Sequence, residues 1–391
     1  MTNPRVFLNK KEENDILQGF PWVFDNEIAF VKAMNGDKLE QTPLADCKVK
    51  DGTLVEVYTK GGLCLGSGII NRKSKICVRL LTNKPTPQGI QFFNKEYFAA
   101  LIEQALQMRL YTFSAEDSFR LIFGEADFIP GLIVERYCDI SGKVFLVVQF
   151  LTLGVEVFRL PVLQALEEVC KPAGIYERSD ANVRLLEGLE LRNGWLSEEF
   201  DPCITIKENG VLLKVDLAGG QKTGYFLDQK MNRRIAASYA KDAKVLDTFT
   251  HTGAFGLNCF LAGAKSVLSV DISEDACKTV QANIELNNAQ NVMNVRCADV
   301  FDLLKECEQQ KEQFDLIILD PPAFAKHRDA IKNALRGYQR LNAKGIEQIR
   351  PGGIIFTFSC SQAIDKDMFR LAVFSAAAQV GRKVRILHQL H

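Results

Sequence analysis

The sequence predicts an α/β protein whose C-terminal half is a Rossmann-like, doubly wound sheet, preceded by a small β-rich domain and an α+β middle domain. Three observations carry this. From Lys207 onward, short apolar runs alternate with helical periodicity, the pattern of a mainly parallel sheet. Acidic residues recur just after successive runs, at 247, 271, 299 and 320, where such sheets bind ligands. Ahead of them, short β-like runs are punctuated by glycine turns.

A chain of 391 residues exceeds one ordinary core and implies two or three domains. The predicted divisions are 1–82, 83–192 and 193–391. Lysine and arginine number 48, balanced by 48 acids, so global charge favours neither a nucleic acid nor a membrane surface. Basic surface must be local, at Arg72, Lys73, Lys75 and Arg79, at Lys222, Lys230, Arg233 and Arg234, or at Lys326, His327 and Arg328. Eleven cysteines without CxxC spacing or a Cys/His metal pattern read as reduced and intracellular. No apolar leader or membrane span is expected, which makes the cytoplasm the default location.

In the first domain, Thr53–Tyr58 and Ile76–Leu81 are strand-like, and Phe20–Phe24 reads as a small core rather than a stacking platform. In the second, a helix over 94–110, a turn at Pro130-Gly131, a strand over 144–150, a helix near 161–169 and a strand near 175–177 form an α+β unit, with 192–200 as a link onward. The last domain is expected to hold strands at Lys244–Thr248, Ser266–Asp271, Val292–Cys297, Phe314–Asp320, Ile354–Ser359 and Val384–Leu387.

The first of these strands leads into Asp247-Thr248-Phe249-Thr250-His251-Thr252-Gly253-Ala254-Phe255-Gly256, where Gly253 lets backbone approach a ligand. Asp271 lies 18 residues after Gly253, about the spacing at which an acid meets ribose hydroxyls. Asp299 can accept from an adenine amine, and Asp320 opens Asp-Pro-Pro-Ala-Phe, whose prolines stiffen the backbone. Any one of these acids can instead cap the following helix. Four at one end of successive strands argue for a nucleotide-like ligand.

These residues resemble the class I AdoMet-dependent methyltransferases, and the whole chain is similar to the RlmI-type family of 23S rRNA cytosine-5 methyltransferases. Its PUA and EEHEE-type domains precede a methyltransferase domain, as in the order read here. Gly19–Phe24, Gly224-Tyr225-Phe226-Leu227-Asp228-Gln229, Asn232-Arg233-Arg234, the 247–256 loop, Asp-Pro-Pro-Ala-Phe and Ser359-Cys360-Ser361 carry the resemblance. It implies AdoMet held by the 247–256 loop (Asp247, Thr248, Phe249, Thr252, Gly253), its ribose by Asp271 with Ile272, and its adenine by Asp299 with Val300. The methionine end would lie near Asp247 and Asp320, with Gln221 to Gln229, including Thr223, Phe226 and Asp228, closing over it. Structured RNA, in particular 23S rRNA, and the pairing of two copies are implied as partners.

Cys360 follows the fifth strand and shares a cleft edge with Asp320. Carbon-5 of cytosine is a poor nucleophile until a thiolate adds to carbon-6, so Cys360 is the expected nucleophile and Asp320 the residue that holds the base edge. The target base must be unpaired or flipped out. The other ten cysteines are expected to pack.

Two departures temper the resemblance. Ala323 and Phe324 stand where many cytosine-5 RNA enzymes carry a second cysteine. Asp-Pro-Pro plus an aromatic also resembles enzymes that methylate a guanine or adenine nitrogen, the first alternative. A seven-stranded class I sheet is implied, yet six strands are countable before His391, so a hairpin is unaccounted for. A non-catalytic RNA-binding protein that retains AdoMet is the second alternative. A nicotinamide dehydrogenase is disfavoured by the missing GxGxxG.

Overall fold

The computed structural model describes residues 3–220, 224–325 and 328–390. The chain divides into two compact units, Met1–Pro202 with Asp216–Tyr225, and Cys203–Val215 with Phe226–His391. Among the described residues, no helix is long and apolar enough to cross a membrane.

The first unit contains two sheets. The N-terminal one has seven strands in the order Trp22–Phe24, Ile76–Thr82, Cys64–Ile70, Leu54–Tyr58, Arg5–Leu8, Ile28–Asn35, Lys38–Thr42. Alternating β-branched residues such as Val6, Val31, Val55 and Val78 form its core. The Phe20–Phe24 segment enters that core only through Val23, because alternation along the edge strand turns Trp22 and Phe24 the other way. Phe20 is 40% exposed, and Trp22 Nε1 donates to Glu125 Oε1 at 2.7 Å.

The second sheet, ordered Arg192–Trp195, Gly174–Ser179, Val144–Phe150, Leu132–Cys138, Phe119–Phe123, belongs to the middle segment. The Lys95–Leu110 and Arg159–Cys170 helices pack against it through Phe98, Ile102, Val162 and Leu166. Asn94 caps the first of these by accepting from Tyr97 N. Residues 192–195 are thus an edge strand rather than a link. Trp195 pairs across from Tyr176 and sits between the rings of Tyr176 and Phe200 at 4.7 and 4.6 Å, which draws the segment onto the sheet. At Pro130-Gly131 the chain turns with Gly131 at φ +80°, and a Cβ there would stand 2.3 Å from Thr152 Oγ1.

The second unit opens with a hairpin, Cys203–Glu208 and Val211–Asp216, turned at Asn209-Gly210, where both residues have positive φ. Its edge backbone is satisfied by asparagines one turn apart on the Glu274–Leu286 helix and its C-cap. Asn283 Oδ1 accepts from Lys214 N at 2.8 Å, while Asn287 accepts from Leu212 N and donates to Leu212 O at 2.8 and 2.7 Å.

Behind the hairpin lies a five-stranded parallel sheet: β1 Lys244–Thr248, β2 Ser266–Asp271, β3 Met293–Cys297, β4 Phe314–Leu319 and β5 Ile349–Thr357, in the order β3-β2-β1-β4-β5. The order reverses between β1 and β4, the switch point at which such sheets open a ligand crevice. β5 begins five residues earlier than expected, running through Pro351 and Gly352.

Among the described residues, no strand follows β5, so the expected strand at Val384–Leu387 is not formed. That run is extended coil with Ile386 55% exposed. A strand exists only where its ladder has a partner, and Arg382 Nη1 holds the chain instead to the Ile346 carbonyl at 2.6 Å.

Gly131→Ala is expected to destabilise the first unit by about 2–4 kcal/mol, since it adds both left-handed strain and a clash with Thr152. Urea unfolding would show a loss well above the ~1 kcal/mol of an ordinary Gly→Ala change.

Candidate active site

Asp247, at the end of β1, is fully buried. Its Oδ2 accepts from Thr250 Oγ1 at 2.5 Å, Gly256 N at 3.0 Å and Ser269 Oγ at 3.1 Å. Oδ1 is equally buried and has no hydrogen-bond partner among the described residues. Burial pushes the carboxyl up to about 6 and the negative charge of Asp271 adds to it, against the three donors, which pull it down.

The loop beyond β1 is wound tightly. Phe249, His251 and Gly253 have φ of 57°, 53° and 78°, and the loop's own amides hold that winding, Thr250 N donating to Val270 O at 3.1 Å and Gly253 N to Thr250 O at 2.9 Å. Gly253 also permits close packing, since a Cβ there would stand 3.0 Å from Val280. Asn283 Nδ2 donates to Thr252 O at 2.9 Å and joins this loop to the hairpin. Thr248 turns away from the crevice, with its buried hydroxyl donating to Ile318 O at 2.7 Å.

Asp271 ends β2 and accepts from His251 N through Oδ2 and Ser273 N through Oδ1, both at 3.0 Å. It therefore sets the loop's shape while each carboxylate oxygen keeps a lone pair for a hydroxyl. Ile272 beside it is 69% exposed, an apolar surface at the mouth of the crevice. Asp299 is the N-cap of the Val300–Gln310 helix, and its Oδ1 accepts from Phe301 N and Asp302 N at 2.8 and 3.2 Å. The capping role weighed for these acids thus holds for Asp299, and its exposed Oδ2 is left available. Val300 is buried and packs beneath.

Asp320 follows β4. Gln229 Nε2 donates to Asp320 Oδ2 at 3.3 Å, and Gln229 Oε1 accepts from Asn232 Nδ2 at 2.7 Å. The Gln229 segment is anchored by a buried ion pair, Arg233 to Glu208 at 2.5 Å, with Arg233 also donating to Phe226 O at 2.8 Å. Phe226 meets His251 edge-on at 5.1 Å, and Asp228 is exposed. Gln221 and Thr223 lie outside the described residues.

Cys360 is exposed, one turn beyond β5, with its Sγ 3.6 Å from Pro321 O. The thiol and the Asp320 loop therefore face each other, as expected from the sequence. Phe324 packs on the ring of Tyr338 at 4.7 Å and is half-buried. Six other cysteines are buried and two are half-buried. Cys203 and Cys297 are exposed, contrary to a uniform packing role, because each sits at a strand end.

Four of the eleven basic residues singled out by charge are structural. Arg72 pairs with Asp51, Arg79 with Glu187 and Arg233 with Glu208, and Lys230 is buried. Local clustering does not reveal which cations already have partners. Lys222, Lys326 and His327 lie outside the described residues, and so does the Arg328 side chain. Sequence reasoning missed Ser269, Asn283 and the pairing of Gln229 with Asp320; Gln229 closes a family-like motif, but like the other two it acts on a residue distant in sequence.

The comparisons bear on this geometry. Residues 189–385 match the profile of an S-adenosylmethionine-dependent methyltransferase and residues 6–83 that of a PUA-like domain. A curated relative from Enterobacter sp. (strain 638), ribosomal RNA large subunit methyltransferase I, is 36% identical over 98% of this chain and 92% of its own length. The chain belongs to this family. A second member, from Photobacterium profundum, is 37% identical over 98% of this chain and 92% of its own. Among solved structures, a SAM-dependent methyltransferase from Streptococcus mutans superposes with a TM-score of 0.73 at 20% identity, covering 96% of this chain and 90% of that one. Another methyltransferase, crystallised with SAH, gives 0.74 at 22% identity over the same shares; at such identities these two speak to the fold.

This large-subunit methyltransferase uses AdoMet, and its residues fit that group. The unpartnered Asp247 Oδ1 and the remaining lone pairs of Asp271 and Asp299 offer acceptors for its amine, ribose hydroxyls and adenine amine.

The raised value of Asp247 makes a signed prediction. A carboxyl at about 6 when folded, against its ordinary 3.8, contributes stability that is present below pH 4 and lost as pH rises through 6. The unfolding free energy of Asp247→Asn minus that of wild type should rise by about 2 kcal/mol between pH 4 and 7. Urea titrations at each pH measure this; parallel pH profiles would refute a raised carboxyl.

Proposed function

We propose that the enzyme methylates carbon-5 of a cytidine in 23S ribosomal RNA, with Cys360 as nucleophile. The observation that carries this reading is the exposed Cys360 Sγ 3.6 Å from Pro321 O, opposite the Asp320 loop. AdoMet supplies an electrophilic methyl group. The chain's part is to activate and hold the base: the thiolate bonds to carbon-6, which makes carbon-5 nucleophilic. Asp320, oriented by Gln229, holds the cytosine edge while the adduct persists. Once carbon-5 carries the methyl group, loss of its proton expels the thiolate and restores the ring.

AdoMet would be held by the Asp247 loop with Phe249, Thr252 and Gly253, by Asp271 and Ile272 at the ribose, and by Asp299 with Val300 at the adenine. Asp247 and Asp320 would hold the methionine end, with the 221–229 segment closing over it. Thr248 would contribute through its backbone alone, because its hydroxyl is already committed to Ile318. Methylation of a ring or exocyclic nitrogen is the alternative reading, in which the side of the half-buried Phe324 ring not covered by Tyr338 would stack on the base.

In this reading the modules at 1–82 and 83–192 dock RNA by shape and backbone contacts while the third, 193–391, carries the chemistry. It extends to pairing of two copies and a cytoplasmic location. The test is incubation with labelled AdoMet and unmodified ribosomal RNA, followed by nucleoside mass spectrometry. Wild type should yield labelled 5-methylcytidine and Cys360→Ala none. Label on a purine nitrogen that persists in the variant would return Cys360 to a packing role, and AdoMet binding without transfer would favour a non-catalytic RNA binder.

A further inference from the structure

Tyr338 lies on the Ile331–Gln348 helix with its side chain wholly buried. Its ring is enclosed by Phe324 at 4.7 Å and Phe369 at 5.1 Å, with Ala325 and Ile364 in the same cluster. A phenylalanine would fill that space without bringing in a polar group that needs a partner. The hydroxyl is nonetheless fully engaged. Ser359 Oγ donates to it at 2.9 Å, and Ser361 Oγ lies 2.9 Å away on its other side. Ser361 Oγ also accepts from Ala325 N at 3.1 Å, and Ser361 N donates to Ser359 Oγ at 3.3 Å.

The two serines bracket Cys360, and Ala325 lies in the loop that Asp320 opens. Tyr338 therefore meets both segments: its hydroxyl holds the two serines of the Cys360 turn, one of which accepts from Ala325 N, and its ring packs on Phe324 of the Asp320 loop. Gly337, beside Tyr338, preserves the arrangement, since a Cβ there would stand 2.9 Å from the Phe324 ring. We infer that Tyr338 is a positioning residue for methyl transfer: its hydroxyl, through Ser359 and Ser361, fixes the separation of the Cys360 thiol from the Asp320 loop. The inference rests on the reading of Cys360 as the nucleophile.

Tyr338→Phe keeps the ring on Phe324 and removes the hydroxyl that holds Ser359 and Ser361. At saturating RNA and AdoMet, kcat should fall about 10- to 100-fold, the scale of a misplacement near 1 Å. The KM for AdoMet should stay within about twofold, because no AdoMet-holding residue touches the network. Covalent trapping on RNA containing 5-fluorocytidine should slow by the same factor as kcat. Ser361→Ala should behave alike, and the double variant should be no worse than either single one, as for members of one network. A kcat for Tyr338→Phe within about twofold of wild type, or a loss that merely tracks the unfolded fraction in a thermal melt, would overturn the inference. Cys360→Ala is measured alongside. If it binds AdoMet yet forms no adduct, the nucleophile reading stands and the Tyr338 result is judged alone. If it still forms the adduct, the nucleophile reading falls and the positioning role with it.

Discussion

The active end of the sheet depends on one buried carboxylate. Asp247 Oδ2 gathers donors from the loop after β1, from the helix that follows and from β2. Three segments that a parallel sheet leaves free to diverge are thereby held at one point. A carboxylate is suited to this because one oxygen can accept several bonds, whereas a neutral amide would have to bury donors as well. Burial makes the charge costly, which is visible in the raised value, and the second oxygen, buried with no hydrogen-bond partner among the described residues, adds to that cost.

From this point, constraint passes outward through asparagines. Asn283 donates to the loop at Thr252 and accepts from the hairpin at Lys214, so one side chain couples the loop to an element well upstream in sequence. Asn287 adds two bonds to Leu212. A helix side chain thus does the work of a neighbouring strand at an exposed ladder. On the other flank, Gln229 reaches Asp320 while Arg233 and Glu208 anchor its segment. A buried ion pair adds little net stability; here it fixes the path of the Phe226–Gln229 stretch.

What could be read from the sequence follows the range of the interactions. β1 and β2 were legible to the residue, because β-branched and apolar runs of five and six residues between turn signals leave no other length. The acids at their ends were legible as a set, since strand polarity alone places them on one side. The edges were not. The Val384–Leu387 run has strand composition, but a strand is a property of a pair, and no partner is available to it among the described residues. The reverse happened at 192–195, where Trp195 found two rings to pack against. Basic clusters misled for the same reason: Arg79 and Arg233 look like surface charge until their distant acids are placed.

The acids also show why structural and ligand-binding readings of one residue need not compete. Asp299 caps a helix with one oxygen and leaves the other exposed; Asp271 shapes the loop with both and retains lone pairs on each. A cap needs the carboxylate at a helix start, and in a parallel sheet the helix start lies at the edge where such folds bind ligands, so the same atoms are open to both tasks. Phe324 is placed differently: its ring packs on Tyr338 at 4.7 Å and lies half-buried between two hydrophobic clusters, which ties the Asp320 loop to the Ile331–Gln348 helix, while the exposed Cys360 thiol meets the same loop at Pro321 O.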